Sequence, residues 1–216
     1  VDRFIAYFQP ATNTYAPVER LRAVYDEALR DPRVVGLAIG TRPDCLGPDV
    51  LALLDELAER TYLVVELGLQ TIHDRSLDWM NRGHGYAEFL DAVQRCNARR
   101  FELGAHVMLG LPGESHADMM ATADAVASLD LDSVKLHNLY VVEDTPLADD
   151  YRAGKVTLLE RDEYVATAVD FIERLPVDCT VDRISGEAPP QYFVAPAWCL
   201  EKSQLLTAVQ QEFERR

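Results

Sequence analysis

The chain of 216 residues predicts an α/β protein built on a parallel sheet. Two observations carry this. Short apolar runs alternate with segments of helical spacing along the chain, and no hairpin turn joins one strand to the next. A third favours a barrel over an open doubly wound sheet. No GxGxxG fingerprint follows the first strand, and polar residues gather at the C-terminal ends of most strands, where a parallel barrel carries its functional rim.

The elements follow in order. Phe4 to Phe8 is the first apolar run, leading into the loop QPATNTYAP. Leu21, Val24, Tyr25 and Ala28 give Val18 to Leu29 a helical stripe, and Val34 to Ile39 is the second strand, closed by GTRPDCLGP. Val50, Leu53, Leu54 and Leu57 share one face of a helix over Asp49 to Arg60, and Tyr62 to Leu69 is the third strand. A short helix from Asp74 is expected to stop near Gly83, before a helix over Tyr86 to Arg99. Gly104 to Leu109 is strand four, ended by GLPGE, and Ser115 caps a helix reaching Leu129. Ser133 to Val141 is strand five. TPLADDYRAG supplies a turn and a short helix, Glu160 to Leu175 a long one, Cys179 to Ile184 strand six, and Lys202 to Arg216 a terminal helix.

A hydrophobic fraction of 48% suffices for one sizeable core, so residues 1–216 are expected to form a single domain with a C-terminal helix over about 200–216. No apolar run is long enough to span a membrane, and the start, VDRFIAYFQP, lacks a secretory pattern; the expected compartment is the cytoplasm. A net charge of −15 repels nucleic acid and anionic membranes at long range and gives no support to a nucleic-acid partner. Cys45, Cys96, Cys179 and Cys199 form no close pair, which suggests neither a disulfide framework nor a zinc ribbon; no metal ligand is assigned.

The stretch VVELGLQTIHDRSLDWMNRGH, from Val64 to His84, is the most informative. Side chains alternate along a strand, so Glu66, Gly68 and Gln70 share one face and Val65, Leu67 and Leu69 the other. A carboxylate, a bare backbone and an amide in one row of a buried strand suit a polar ligand, and Arg82 follows close enough to add a positive charge. The predicted rim also holds Gln9, Thr12, Asn13, Thr41, Arg42, Asp44, His106, Lys135, His137, Asn138, Arg183 and Glu187. A carboxylate can accept two hydrogen bonds from vicinal hydroxyls, and an arginine binds a carboxylate bidentately, which together suit a nucleoside bearing an amino-acid tail. Against this, Glu66 can be a structural partner of Arg42 or Lys135, Gln70 a strand-end cap, and Arg82 a solvated surface charge. His106 and His137 can be satisfied core or rim histidines, and Trp79, Tyr86 and Phe89 read as core. Lys135, on one face with His137, leaves open a lyase using a Schiff base. The catalytic residues stay unassigned.

GTRPD, ELGLQ, MNRGH and HVMLGLPGE occur in that order, and with YFQPATNTYAP, IGTRPDCL, VKLHNLYVVEDTPL and APAWCLEKSQLL they resemble the radical S-adenosylmethionine (radical SAM) enzymes. The likeness is greatest to the elongator-subunit-3-like branch and, within it, the YhcC-like proteins. The resemblance implies a partial TIM-like barrel, (β/α)6, of parallel strands with SAM across the strand C-termini. It implies that Glu66 and Gln70 lie at the SAM ribose and neighbouring polar groups, and that Arg82 holds the SAM carboxylate. It implies that His106 to Pro112 flanks the adenosyl group, with Gly110 and Leu111 offering backbone. Gly40 and His106 stand where relatives often carry acidic residues.

The resemblance also implies a [4Fe–4S] cluster on three closely spaced cysteines, a reductant such as flavodoxin or ferredoxin, and radical chemistry on a substrate that is not legible here. This chain has no such triad, and its first strand corresponds to the family's second. The expectation is an N-terminally incomplete barrel lacking the first strand and the cluster loop, able to bind SAM and not to cleave it. The alternative is a non-catalytic SAM- or nucleoside-binding scaffold derived from the same fold.

Overall fold

The computed structural model describes residues 2–216. The strands are β1 (Phe4–Phe8), β2 (Val34–Thr41), β3 (Tyr62–Gln70), β4 (Glu102–Leu109), β5 (Ser133–Asn138), β6 (Val141–Val142), β7 (Thr180–Arg183) and β8 (Phe193–Ala195). The helices are α1 (Val18–Ala28), α2 (Pro48–Arg60), α3 (Asp74–Trp79), α4 (Tyr86–Cys96), α5 (His116–Ala127), α6 (Pro146–Arg152), α7 (Arg161–Ile172) and α8 (Lys202–Arg215). Six strands form one sheet in the order β1-β2-β3-β4-β5-β7, every pairing parallel, curled into a half-barrel.

The alternation of side chains divides the sheet into two unlike faces. Leu37, Ile39, Leu63, Val65, Leu67, Leu69, Leu103, Ala105, Val107, Val134 and Leu136 are buried in one cluster with Leu53, Leu54 and Leu57 of α2, Phe89 of α4 and Phe171 of α7. Side chains of this size contribute about 1.5–3 kcal/mol each when fully buried, so this face holds the barrel wall to its helices. The concave face carries Tyr7, Glu66, His106, Lys135 and His137. No helix among the described residues is long and apolar enough to cross a membrane.

Ser115 caps α5 as its sequence predicts: its hydroxyl accepts from the Asp118 N–H at 3.2 Å, and the Asp118 carboxylate accepts from the Ser115 N–H at 2.8 Å. Several boundaries differ from expectation, α4 ending at Cys96 rather than Arg99 and α7 at Ile172 rather than Leu175 among them, and two bear on the site. Strand five ends at Asn138, not Val141, because β4 stops at Leu109 and offers no further pairing. The Asn138 amide instead donates to the Cys199 Sγ at 2.9 Å and its carbonyl accepts from the Gly186 N–H at 3.0 Å, while Val141–Val142 pairs antiparallel with Phe193–Ala195. Helix α3 is stopped by Asn81 rather than Gly83. Asn81 takes φ +52°, its N–H bonds to the Asp78 carbonyl at 2.9 Å, and the Arg82 N–H returns to the Leu77 carbonyl at 3.0 Å. This is the Schellman ending, with asparagine in the left-handed position.

Candidate functional site

Glu66 lies in the middle of β3 between Gly40 of β2 and Gly104 of β4, and is 2% exposed. Its carboxylate accepts from three side chains. One oxygen accepts from the Tyr7 hydroxyl at 2.8 Å and from the His106 Nε2 at 2.7 Å; the other is ion-paired with Lys135. A carboxylate can only accept, so His106 carries its proton on Nε2. Burial pushes the Glu66 carboxyl upward, but the bonds from His106, Lys135 and Tyr7 outweigh it and bring the group down to about 2. Burial and the Glu66 contact hold the Tyr7 phenol above its ordinary value, keeping it a donor. The His106 and His137 rings lie 5.4 Å apart, and burial pushes His137 down to about 3, so it stays neutral. The His137 Nε2 is buried without a partner among the described residues. Of the two partners open to Glu66 from sequence, Lys135 is the real one; Arg42 pairs with Asp44.

Gln70 and Arg82 belong to a different environment. The ladder slips between Gly68 and Gln70, and Gln70 takes φ +72°, yet its amide remains on the Gly68 side of the strand. The Schellman turn after α3 aims Arg82 back over β3. Its Nη2 donates to the Gly68 carbonyl at 3.2 Å and its Nε to the His84 Nε2 at 3.1 Å. A Cβ on Gly68 would lie 2.1 Å from that Nη2, so the bare backbone at position 68 makes room for the guanidinium. Arg82 has no carboxylate within ion-pair distance among the described residues, and burial together with the nearby Arg42 charge disfavours its charged form.

Beside this guanidinium is a cavity of about 620 Å³, lined by Gln70, Trp79, Met80, Asn81, Arg82, Met108, Leu139, Thr145, Pro146, Leu147 and Asp150. The volume is that of a small-molecule site, with a mainly apolar wall and a few convergent polar groups. Trp79, read from sequence as core, is 44% exposed and forms part of this wall. Glu66, His106, Gly110 and Leu111 do not line it. The Gly110 N–H donates to the Met119 Sδ at 3.2 Å, and Leu111 is buried in a second apolar cluster with Leu139, Val141 and Ala148.

Two functional candidates escaped the sequence reading. Tyr7 had a usable signal, a phenol on one face with Ile5 of an edge strand. His84 sits inside the quoted MNRGH, but nothing in the sequence ties it to Arg82 rather than to solvent.

The four cysteines do not suit an iron–sulfur cluster. Cys45 follows β2, Cys96 is buried at the end of α4, Cys179 precedes β7, and Cys199 is buried before α8. Burial pushes the Cys96 thiol up to about 11 and the Cys199 thiol up to about 12, away from thiolate. Among the described residues, no three His, Cys, Asp or Glu side chains are grouped to hold a metal ion.

Comparison with known proteins places this geometry. Residues 3–126 match the Radical SAM superfamily and residues 131–215 the Radical_SAM C-terminal domain. YtqA of Bacillus subtilis is 42% identical over 214 residues, which cover 99% of this chain and 66% of that protein. YhcC of Escherichia coli strain K12 is 39% identical over 198 residues, covering 91% of this chain and 64% of that protein. The chain thus spans about two thirds of the length of these relatives. In structure it is similar to Elp3 of the archaeon Methanocaldococcus infernus with an N-terminal deletion, at TM-score 0.80 and 19% identity, over 98% of this chain and 55% of that one. Matched over more than half its length, with the half-barrel that the resemblance implies, this chain belongs to the radical SAM superfamily.

Proposed function

We propose that this chain is the SAM-binding part of a radical SAM enzyme, and that SAM occupies the cavity beside Arg82. The observation that carries the reading is the guanidinium itself: a half-buried cation without a counter-charge, at the edge of a 620 Å³ cavity. The methionine carboxylate of SAM supplies the missing charge, and a guanidinium matches a carboxylate in shape as well as sign. Gln70 offers an amide to ribose hydroxyls, and Trp79, Met80, Met108 and Leu139 offer apolar surface. The Glu66 carboxylate, already satisfied by three protein donors, acts beneath this site as part of its frame rather than as a ribose acceptor.

SAM when bound supplies, with a reduced [4Fe–4S] cluster, the 5′-deoxyadenosyl radical for which the superfamily is named. The donors of this chain fit SAM and do not fit the cluster. Its residues therefore bind and orient SAM, and reductive cleavage by these 216 residues alone is not expected. The substrate and the electron donor belong to the whole enzyme.

Titration calorimetry tests the site. The chain should bind SAM more tightly than 5′-methylthioadenosine, which lacks the amino-acid tail. Arg82→Ala should weaken SAM binding roughly ten- to a hundredfold, the range for bonds to a charged group. It should leave methylthioadenosine binding nearly unchanged. Equal affinity of the variant and the parent for SAM would remove Arg82 from the site.

A further inference from the structure

We propose that His84 is a positioning residue, whose imidazole holds the Arg82 guanidinium by accepting a hydrogen bond at Nε2 and so leaves the Arg82 Nη1 free for an anion. The inference rests on the SAM site proposed above and adds a residue to it. Two of the three guanidinium nitrogens are held by the protein: Nη2 donates to the Gly68 carbonyl at 3.2 Å and Nε to the His84 Nε2 at 3.1 Å. The third, Nη1, has no bond among the described residues.

An arginine N–H can only donate, so the His84 Nε2 must present a lone pair. The ring proton then sits on Nδ1, which faces the Gly85 carbonyl at 3.4 Å. His84 is 9% exposed, so water competes little for that lone pair.

The groups facing His84 agree with a neutral ring. Arg82 touches it. Arg42 stands behind, its Nη2 donating to the Gly83 carbonyl at 3.1 Å and its charge tied to Asp44, whose carboxylate is engaged by the Arg42 Nε at 2.9 Å. On the α4 side, the Asp74 carboxylate is taken by the Tyr86 N–H at 2.8 Å. Burial lowers the affinity of His84 for a second proton, and the Arg82 and Arg42 charges act in the same direction against the Gly85 carbonyl and Asp44. Protonation would place a donor against the Arg82 Nε–H and a charge against its charge, and Arg82 would swing away from Gly68. SAM binding should therefore hold at neutral pH and fall as acid protonates His84.

Two measurements on the full chain test this. Nitrogen-15 NMR of the His84 ring at neutral pH should show the neutral Nδ1–H tautomer. A neutral Nε2–H tautomer, or a charged ring, would overturn the proposal whatever SAM does. Calorimetry with SAM then compares two variants. His84→Leu, which keeps volume without an acceptor, should bind roughly tenfold more weakly, the loss of one orienting bond to a charged group. His84→Gln, whose amide oxygen replaces the Nε2 lone pair, should recover most of that loss and bind without the acid fall-off of the parent. Equal binding by parent and His84→Leu, or a failure of His84→Gln to recover affinity while it unfolds at the parent's temperature, would overturn it. If the parent does not bind SAM at all, the SAM reading fails by itself, and the tautomer still decides whether His84 holds Arg82.

Discussion

Glu66 and Arg82 are both taken out of water on the same side of β3, and the protein treats them in opposite ways. Glu66 is surrounded by donors from three other strands, Tyr7, His106 and Lys135, which meet its charge inside the fold. Arg82 is met only by a carbonyl and an imidazole, neither of which cancels its charge. A buried charge costs several kcal/mol unless it is paired. The first arrangement meets that cost inside the fold and is architecture. The second leaves part of it to be met from outside, which is what the binding role proposed for Arg82 requires.

The comparison predicts where stability should be lost. Glu66→Gln keeps the side-chain shape but leaves the Lys135 ammonium without a counter-ion in the concave face. Breaking a buried pair on one side costs about 3–5 kcal/mol. Urea denaturation should show a large fall in midpoint with little change in slope. Arg82→Ala removes a half-buried charge that has no ion-pair partner among the described residues and should cost far less. Equal losses in the two variants would erase the distinction between a satisfied and an unsatisfied charge.

Acid sharpens the same contrast. The folded Glu66 carboxyl is depressed from its ordinary value of 4.5 to about 2, so its contribution to stability is complete above about 4.5 and is lost as pH falls toward 2. The stability gap between the parent and Glu66→Gln should therefore be widest near neutrality and close over that acid window. A gap that stays constant down to pH 2 would mean that the carboxylate is not held by these donors.

Much of this was legible in the chain, and the illegible parts share a cause. Alternation in β3 put Glu66, Gly68 and Gln70 on one face, and the regular succession of strand and helix gave the parallel sheet. β6 and β8 were not legible, because strands of two and three residues carry no period. Nor could the sequence choose what satisfies Glu66, since Tyr7 and Lys135 lie 59 and 69 residues away and either pairing is consistent with strand order alone. Gly68 read as space for a ligand, and it is space for Arg82; a missing side chain records that something approaches, not what. Trp79 read as core because the short helix α3 has too few turns to show which of its faces meets the cavity.

Gly68→Ala gives the smallest change in stability and separates the two charges most cleanly. Gly68 does not adopt a positive φ, so its backbone accepts alanine without strain. The new methyl would lie 2.1 Å from the Arg82 Nη2 and 3.0 Å from the Gln70 Nε2, and both are ends of flexible side chains that can move. The change in folding free energy should be within about 1 kcal/mol, partly offset by the lower freedom of alanine in the unfolded chain. The guanidinium, however, loses its bond to the Gly68 carbonyl, and SAM binding should fall roughly tenfold. In an Arg82→Ala background the same methyl should cost almost nothing, because the group it displaces is gone. That non-additivity is the measurement: a double-mutant cycle on SAM affinity should return a coupling of about 1 kcal/mol or more. Simple additivity would show that position 68 is empty for some other reason than to seat Arg82, while the Glu66 cluster two residues earlier on the strand would be untouched in either case.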